Sequence, residues 1–273
     1  MEHRKLAFIG AGNMSRSIIS GLIKAGYPAS AIMAANPSRP KLEQLAAEFG
    51  IQITQDNLQA ANWAQAVVLA VKPQLMAEML NALCLESNPL QDKLLISIAA
   101  GMKVARLAEL SGQQRIVRTM PNTPSLLGLG MTGLYANESV VAADRDYCEQ
   151  LMQCVGKTLW VTEEVGINHI TAAAGSAPAY FFLFMQAMAE QAQQLGFNEH
   201  EARLLIEQTA LGAVNMVVAN PKQSLSELRA QVTSKGGTTA EAIRHFQEHG
   251  LNQLVADAMT AAVTRASELE AQL

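Results

Sequence analysis

Nine residues near the start of the chain, Leu6-Ala7-Phe8-Ile9-Gly10-Ala11-Gly12-Asn13-Met14, constrain its fold more than any others. Four residues of strand character run into a Gly-Ala-Gly turn, and Asn13 to Ile19 then has helical spacing with little turn character. A strand that breaks on two glycines and re-enters as a helix is the opening of a dinucleotide-binding unit. Gly10 permits the tight turn and Gly12 lets the backbone approach a pyrophosphate. The helix N-terminus offers free N–H groups and the positive end of its dipole. Ser15 takes the third glycine position, so the fingerprint is incomplete. The plainer reading is an ordinary glycine-rich βα turn; its place at the first strand of the chain favours a cofactor site.

The next strand, predicted over Ala31–Ala35, ends at Asn36-Pro37-Ser38-Arg39. An NAD site usually carries Asp or Glu about 20 residues beyond the glycines, to bind the ribose 2′-hydroxyl. Here Asn36, Ser38 and Arg39 stand there, with Lys41 nearby. A carboxylate would repel a 2′-phosphate, whereas amide, hydroxyl and guanidinium donors bind it. The expected cofactor is therefore NADPH, with NADH accepted more weakly.

A helix is predicted over 41–49. Buried strands are predicted over Ala66–Val71, Leu94–Ala99 and Ile116–Met120, and two later strands over Met131–Tyr135 and Lys157–Val161. Ligands of open α/β sheets bind outside the carboxyl ends of the strands. Five turns should thus gather along one rim. They are Gly10-Ala11-Gly12 with Asn13 and Met14, then Asn36, Ser38 and Arg39, then Val71-Lys72-Pro73, Ala99-Ala100-Gly101 and Pro121-Asn122. Asn57 completes the expected cofactor set.

Beyond Glu163 strand-like runs disappear, which divides the chain into an α/β Rossmann domain with a mostly parallel sheet (1–163) and an all-α domain (164–273). The pattern predicts a helix over Asn168–Leu195 broken only at Pro178, and others over Glu199–Ala219 and Leu251–Glu270. Two capping boxes, Ser224–Glu227 and Thr238–Glu241, should open further helices. Phe181-Phe182-Leu183-Phe184-Met185 surrounds its helix, so that helix must be buried on all sides, most simply by a second copy of the chain. Ile170–Ala189 is uncharged but holds Gly175, Ser176, Pro178 and Gln186, and reads as a buried helix, not a membrane span.

Net charge is −4 and no Lys/Arg run exceeds two residues, against a nucleic-acid or acidic-membrane partner. The odd cysteine count of 3, without metal spacing, and the lack of a signal-peptide pattern point to reduced thiols in the cytoplasm. His245 and His249 are i, i+4 on a helix, but no further ligand accompanies them, so no metal is expected.

With these residues assembled, the chain resembles the pyrroline-5-carboxylate reductases over nearly its whole length. The likeness rests on Phe-Ile-Gly-Ala-Gly-Asn-Met, Ala-Val-Lys-Pro at 70–73, Ser-Ile-Ala-Ala-Gly at 97–101 and Arg-Thr-Met-Pro-Asn-Thr-Pro at 118–124. It continues with Gly-Ser-Ala-Pro-Ala-Tyr at 175–180 and Val-Thr-Ser-Lys-Gly-Gly-Thr-Thr at 232–239. The resemblance implies NADPH-dependent reduction of 1-pyrroline-5-carboxylate to L-proline. It also implies a helical domain that interlocks two chains, the homodimers stacking into larger rings such as a decamer. By the same resemblance Thr239 is the catalytic hydroxyl beside the ring nitrogen, and Ser234, Gly237, Thr238 and Thr239 bind the substrate. The residues themselves allow two readings of that turn: an anion site at a helix N-terminus, or a mere helix cap. Departures from the family pattern include Ser15 for Gly or Ala, Lys235 for proline, Leu225 and Ala230 for Pro and an acid, and Gln191-Ala192-Gln193-Gln194. A rival class, the β-hydroxy-acid dehydrogenases, needs a lysine in the first long helix, and Asn168–Gln194 contains none. A non-catalytic NADPH-binding paralogue is the second rival.

Overall fold

The computed structural model describes residues 2–85 and 87–273. Contacts group the chain into two units. One takes the chain up to Ser176 together with Ala262–Leu273, the other takes Ala177–Ala261.

The first unit is a doubly wound sheet. Its strands are β1 (Leu6–Ile9), β2 (Ile32–Ala35), β3 (Gln52–Thr54), β4 (Ala66–Leu69), β5 (Leu94–Ser97), β6 (Ile116–Met120), β7 (Gly130–Ala136) and β8 (Gly156–Trp160). They lie in the order β3-β2-β1-β4-β5-β6-β7-β8. Every neighbouring pair is parallel except β6 and β7. The helices between them are α1 (Asn13–Lys24), α2 (Arg39–Phe49), α3 (Asn57–Trp63), α4 (Pro73–Leu83), α5 (Val104–Ser111) and α6 (Ala142–Gln153). Strands β1, β2, β4 and β5 are buried at every residue. That follows from covering both faces of a parallel sheet, and explains their continuous apolar runs. Leu6 and Phe8 point into one layer with Ile18, Ile19 and Leu22 of α1; Ala7 and Ile9 point into the other with Met76 and Leu80 of α4. The chain order reverses beside β1, which is flanked by β2 and β4, so the turns after β1 and β4 meet at the switch point.

β4 and β5 stop two residues before the predicted ends. Ala99 stays 5% exposed although it has left the ladder, so the apolar run reports burial and not pairing. At the opposite edge of the sheet a charged cluster closes the starts of β1 and β6. Asp144 on α6, 1% exposed, accepts from Arg4 and Arg115, each at 2.6 Å. Burial alone would push its carboxyl up; the hydrogen bonds and charges of the two guanidinium groups outweigh that and hold it below its ordinary value. Tyr27 and Tyr147 share a buried hydroxyl contact of 2.8 Å beside it.

The unit continues through α7 (Gly166–Ile170) and a π-helical turn, Thr171–Gly175. The long helix predicted over 168–195 is therefore interrupted at this turn and not at Pro178. Ser176 N–H donates to the Thr171 carbonyl at 2.8 Å, the wider i→i+5 closure. Pro178 sits in the first turn of the next helix, where its missing N–H costs nothing.

The second unit is helical: α8 (Ala177–Gln194), α9 (Glu199–Ala219), α10 (Leu225–Gln231), α11 (Thr238–Glu248) and the first half of α12 (Leu251–Gln272). Ser224 and Glu227 form the expected capping box on α10. Phe181, Phe182, Leu183 and Phe184 are 65%, 66%, 68% and 45% exposed in the single chain. An apolar belt left this open requires a partner surface. Among the described residues no helix is long and apolar enough to cross a membrane.

Candidate active site

The switch point opens into a cavity of about 720 Å³. Of the sequence-predicted residues it brings together Gly10, Ala11, Gly12, Asn36, Ser38, Asn57, Val71 and Lys72. To these it adds Lys41, expected only near the 2′-phosphate donors, and Leu58 and Leu75, for which the sequence carries no signal. Gly10 has φ +113°, and a Cβ there would lie 2.5 Å from the Ala70 carbonyl oxygen. Strands β1 and β4 thus approach too closely for any side chain. Gly12 differs: its φ is an ordinary −86°, and a Cβ would meet nothing within 4 Å. Its openness leaves a cradle above the first turn of α1, whose cap provides no side-chain acceptor. The first-turn N–H groups are free for an anion.

Ser15 fills the third glycine position without obstructing this turn. Its hydroxyl donates to the Gly10 carbonyl at 2.7 Å, and the side chain is 1% exposed. Asn36 ties the β2 turn to the glycine turn: its Oδ1 accepts from Ala11 N–H and its Nδ2 donates to the Ser38 carbonyl, both at 3.3 Å. Arg39 projects into solvent and pairs with Glu43 at 2.9 Å, outside the cavity lining, whereas Lys41 lies on it. Asp56 also borders the cavity, but its carboxylate caps α3, accepting from Leu58 and Gln59 N–H. The place a ribose-binding acid would occupy therefore carries hydroxyl, amide and ammonium donors. The residues present fit a dinucleotide with a 2′-phosphate.

Ala99, Ala100 and Gly101 follow β5, and Pro121 and Asn122 follow β6, so parallel pairing places both turns on the same sheet edge as the glycines. Pro73 opens α4, and Asn13 and Met14 open α1. Asn122 is engaged at both ends of its amide. Its Oδ1 accepts from Met131 N–H at 2.9 Å and its Nδ2 donates to the Ala174 carbonyl at 3.0 Å, so it straps β7 and the π turn to the rim.

The second unit carries the Ser234–Thr239 turn. The capping box predicted for Thr238 and Glu241 is absent: Gly237 is the N-cap, Thr238 and Thr239 already belong to α11, and no side chain caps its first turn. Glu241 instead pairs with Arg244, whose hydrogen bond holds the Glu241 carboxyl below its usual range. The turn closes through Gly237 N–H to the Ser234 carbonyl at 3.0 Å. Ser234, Lys235, Thr238 and Thr239 are all exposed. With the helix-cap role unfilled, this turn offers hydroxyls and uncapped amides to an anion. His249 Nδ1 contacts the His245 carbonyl at 2.8 Å. Among the described residues no three His, Cys, Asp or Glu side chains gather for a metal.

Residues 164–269 match the family of pyrroline-5-carboxylate reductase dimerisation domains, and residues 5–101 match the NADP oxidoreductase, coenzyme F420-dependent family. A pyrroline-5-carboxylate reductase of Vibrio alginolyticus is 55% identical over 99% of both chains. The structure of a pyrroline-5-carboxylate reductase from Coxiella burnetii superimposes with a TM-score of 0.89 at 43% identity, covering 98% of this chain and 99% of that one. The Plasmodium falciparum pyrroline carboxylate reductase, solved with NADP bound, gives 0.86 at 28% identity over 99% of both.

Proposed function

This chain belongs to the pyrroline-5-carboxylate reductase family, and from that premise we propose how its own residues carry the reaction. The enzyme reduces 1-pyrroline-5-carboxylate to L-proline with NADPH. The observation that carries the reading is the Gly12 cradle beside Ser38 and Lys41, which suits a dinucleotide phosphate and its 2′-phosphate.

NADPH supplies the hydride that reduces the C=N carbon. As that bond forms, the π pair moves onto the ring nitrogen, which stays in the ring as the secondary amine of proline. A protonated imine is already a good acceptor, so the protein needs no strong base. Ser234, Gly237 and Thr238 hold the substrate carboxylate through hydroxyls and N–H groups at the start of α11. The Thr239 hydroxyl donates a hydrogen bond to the ring nitrogen as its electron pair develops. The rim residues Gly10–Met14, Asn36, Ser38, Lys41, Asn57, Val71–Pro73, Ala99–Gly101, Pro121 and Asn122 position the cofactor, the last through its strap to β7, while Arg39 is turned away to Glu43. We assign cofactor binding to 1–163 and substrate binding with dimerisation to 164–273.

The helical region is a dimerisation region. Homodimers stacked into a ring such as a decamer, working in the cytoplasm with NADH as the weaker donor, complete the proposal. Thr239→Ala tests it: kcat falls by roughly 10²-fold, the scale of one preorganised donor, while the Kd for NADPH is unchanged. An unchanged kcat and KM would remove the turn from the active site.

A further inference from the structure

Among the described residues the largest fully buried side chain is a cation, Arg118 in the middle of β6. Its Nη1 donates to Glu164 Oε1 at 3.0 Å and its Nη2 to Glu270 Oε1 at 2.7 Å. The Glu270 side chain is 6% exposed and belongs to the last turn of α12, 152 residues further along the chain. The same Glu164 oxygen accepts from Val104 N–H, the first residue of α5, at 2.8 Å. One buried guanidinium therefore joins the middle of β6, the start of α5 and the end of α12.

The end of α12 also touches the rim. Gly101 has φ +76°, and a methyl placed on it would lie 3.1 Å from Leu273 Cδ1 and 3.6 Å from Leu269 Cβ. Gly101 is thus backed by Leu269 of the helix that Glu270 fastens and by Leu273, the residue after its end. Apolar residues at both 118 and 270 would fill the space without the desolvation cost of a buried ion pair. Such pairs serve best to fix register. A slip of one turn along α12 would displace Leu269 and Leu273 by about 5.4 Å and take them off Gly101.

We propose that Glu270 is a positioning residue for the cofactor end of the reaction. Through Arg118 it sets the axial register of α12, and α12 holds the Ala99–Gly101 turn in the conformation NADPH binds. The proposal rests on the assignment of that turn to the cofactor rim.

The test uses the full-length enzyme, NADPH titration by nicotinamide fluorescence, and amide hydrogen exchange over residues 99–104. Glu270→Leu keeps the apolar contact and removes the acceptor. It should raise the Kd for NADPH roughly 10-fold and speed exchange over 99–104, with the KM for pyrroline-5-carboxylate unchanged. Glu270→Gln, whose carbonyl oxygen still accepts from Arg118, should restore both. If Glu270→Leu does not fold, Leu269→Ala keeps the ion pair and loosens only the backing of Gly101, with the same expected outcome. Exchange and Kd both unchanged would overturn the proposal. Faster exchange with an unchanged Kd would also overturn it, and would locate the fault in assigning the turn to the rim. A wild-type enzyme that fails to bind NADPH at all would remove the proposed function, and this inference with it.

Discussion

The two glycines of the first turn are required for different reasons, and single alanine substitutions separate them. At Gly10 a methyl group would sit 2.5 Å from the Ala70 carbonyl oxygen and 2.7 Å from its carbon, at φ +113°. A non-glycine residue in so sparse a backbone region costs ~1–3 kcal/mol. Overpacking against a backbone that cannot yield adds ~1–3 kcal/mol, for a sum of ~2–6 kcal/mol. At about 2–4 °C per kcal/mol for a chain of this size, Gly10→Ala should melt roughly 5–20 °C below wild type. Gly12→Ala meets no atom and no φ barrier, so its melting temperature should stay within about 2 °C of wild type. Its methyl instead fills the phosphate cradle. Losing one hydrogen bond to a charged group costs ~1.5–3 kcal/mol, so the Kd for NADPH should rise roughly 10- to 100-fold. Differential scanning fluorimetry and NADPH fluorescence titration measure the two effects. A Gly10→Ala enzyme that melts like wild type would refute the close-approach argument. A Gly12→Ala enzyme that binds NADPH with wild-type Kd would refute the cradle.

Asp144→Asn should cost about 2–3 kcal/mol at pH 7, below the ~3–5 kcal/mol of a fully buried pair because Arg115 is 36% exposed and can rehydrate. The depressed folded-state carboxyl stabilises above its ordinary value of 3.8, and that stability is lost as pH falls through the lower folded value. Acid unfolding of the variant should therefore be less steep below about pH 4, by circular dichroism; parallel curves would contradict this. Lys41→Ala should raise the KM for NADPH roughly 3- to 10-fold and leave that for NADH unchanged, because Lys41 and not Arg39 lines the cavity; an equal effect on both cofactors would exclude 2′-phosphate recognition. Leu183→Glu, in the exposed belt of α8, should shift sedimentation toward monomer at micromolar concentration, and an unchanged oligomer would place the interface elsewhere.

The Rossmann sheet was legible because its signals are local. A strand, two glycines and a helix specify Leu6–Met14 without reference to distant residues, and the buried runs at 66–69, 94–97 and 116–119 are continuous. Sequence places Lys41 only near the 2′-phosphate donors and cannot rank it above Arg39, because position on α2 decides that Lys41 lines the cavity while Arg39 turns to Glu43. The π turn at 171–175 carries no composition signal; it follows from packing Gly175 on Met120. The Thr238–Glu241 pattern misled because the sequence supplies both halves of a capping box, while Arg244 competes for the acid. Arg118 read only as part of a motif: nothing within ten residues of it announces Glu270.

That Arg118 partner lies far downstream, and the discontinuity shapes how the protein is made. A ribosome adding roughly 5–20 residues per second delivers Glu270 about 8–30 s after Arg118, given their separation of 152 residues. During that interval the sheet has emerged, yet the Arg118 guanidinium has only one of its two carboxylates, Glu164, with the Asn168 amide oxygen beside it. The segment that completes the first unit, Ala262–Leu273, emerges after the whole of the second. The nascent sheet therefore waits, with the Arg118 cation half-paired in β6, until the last stretch of the first unit has been made.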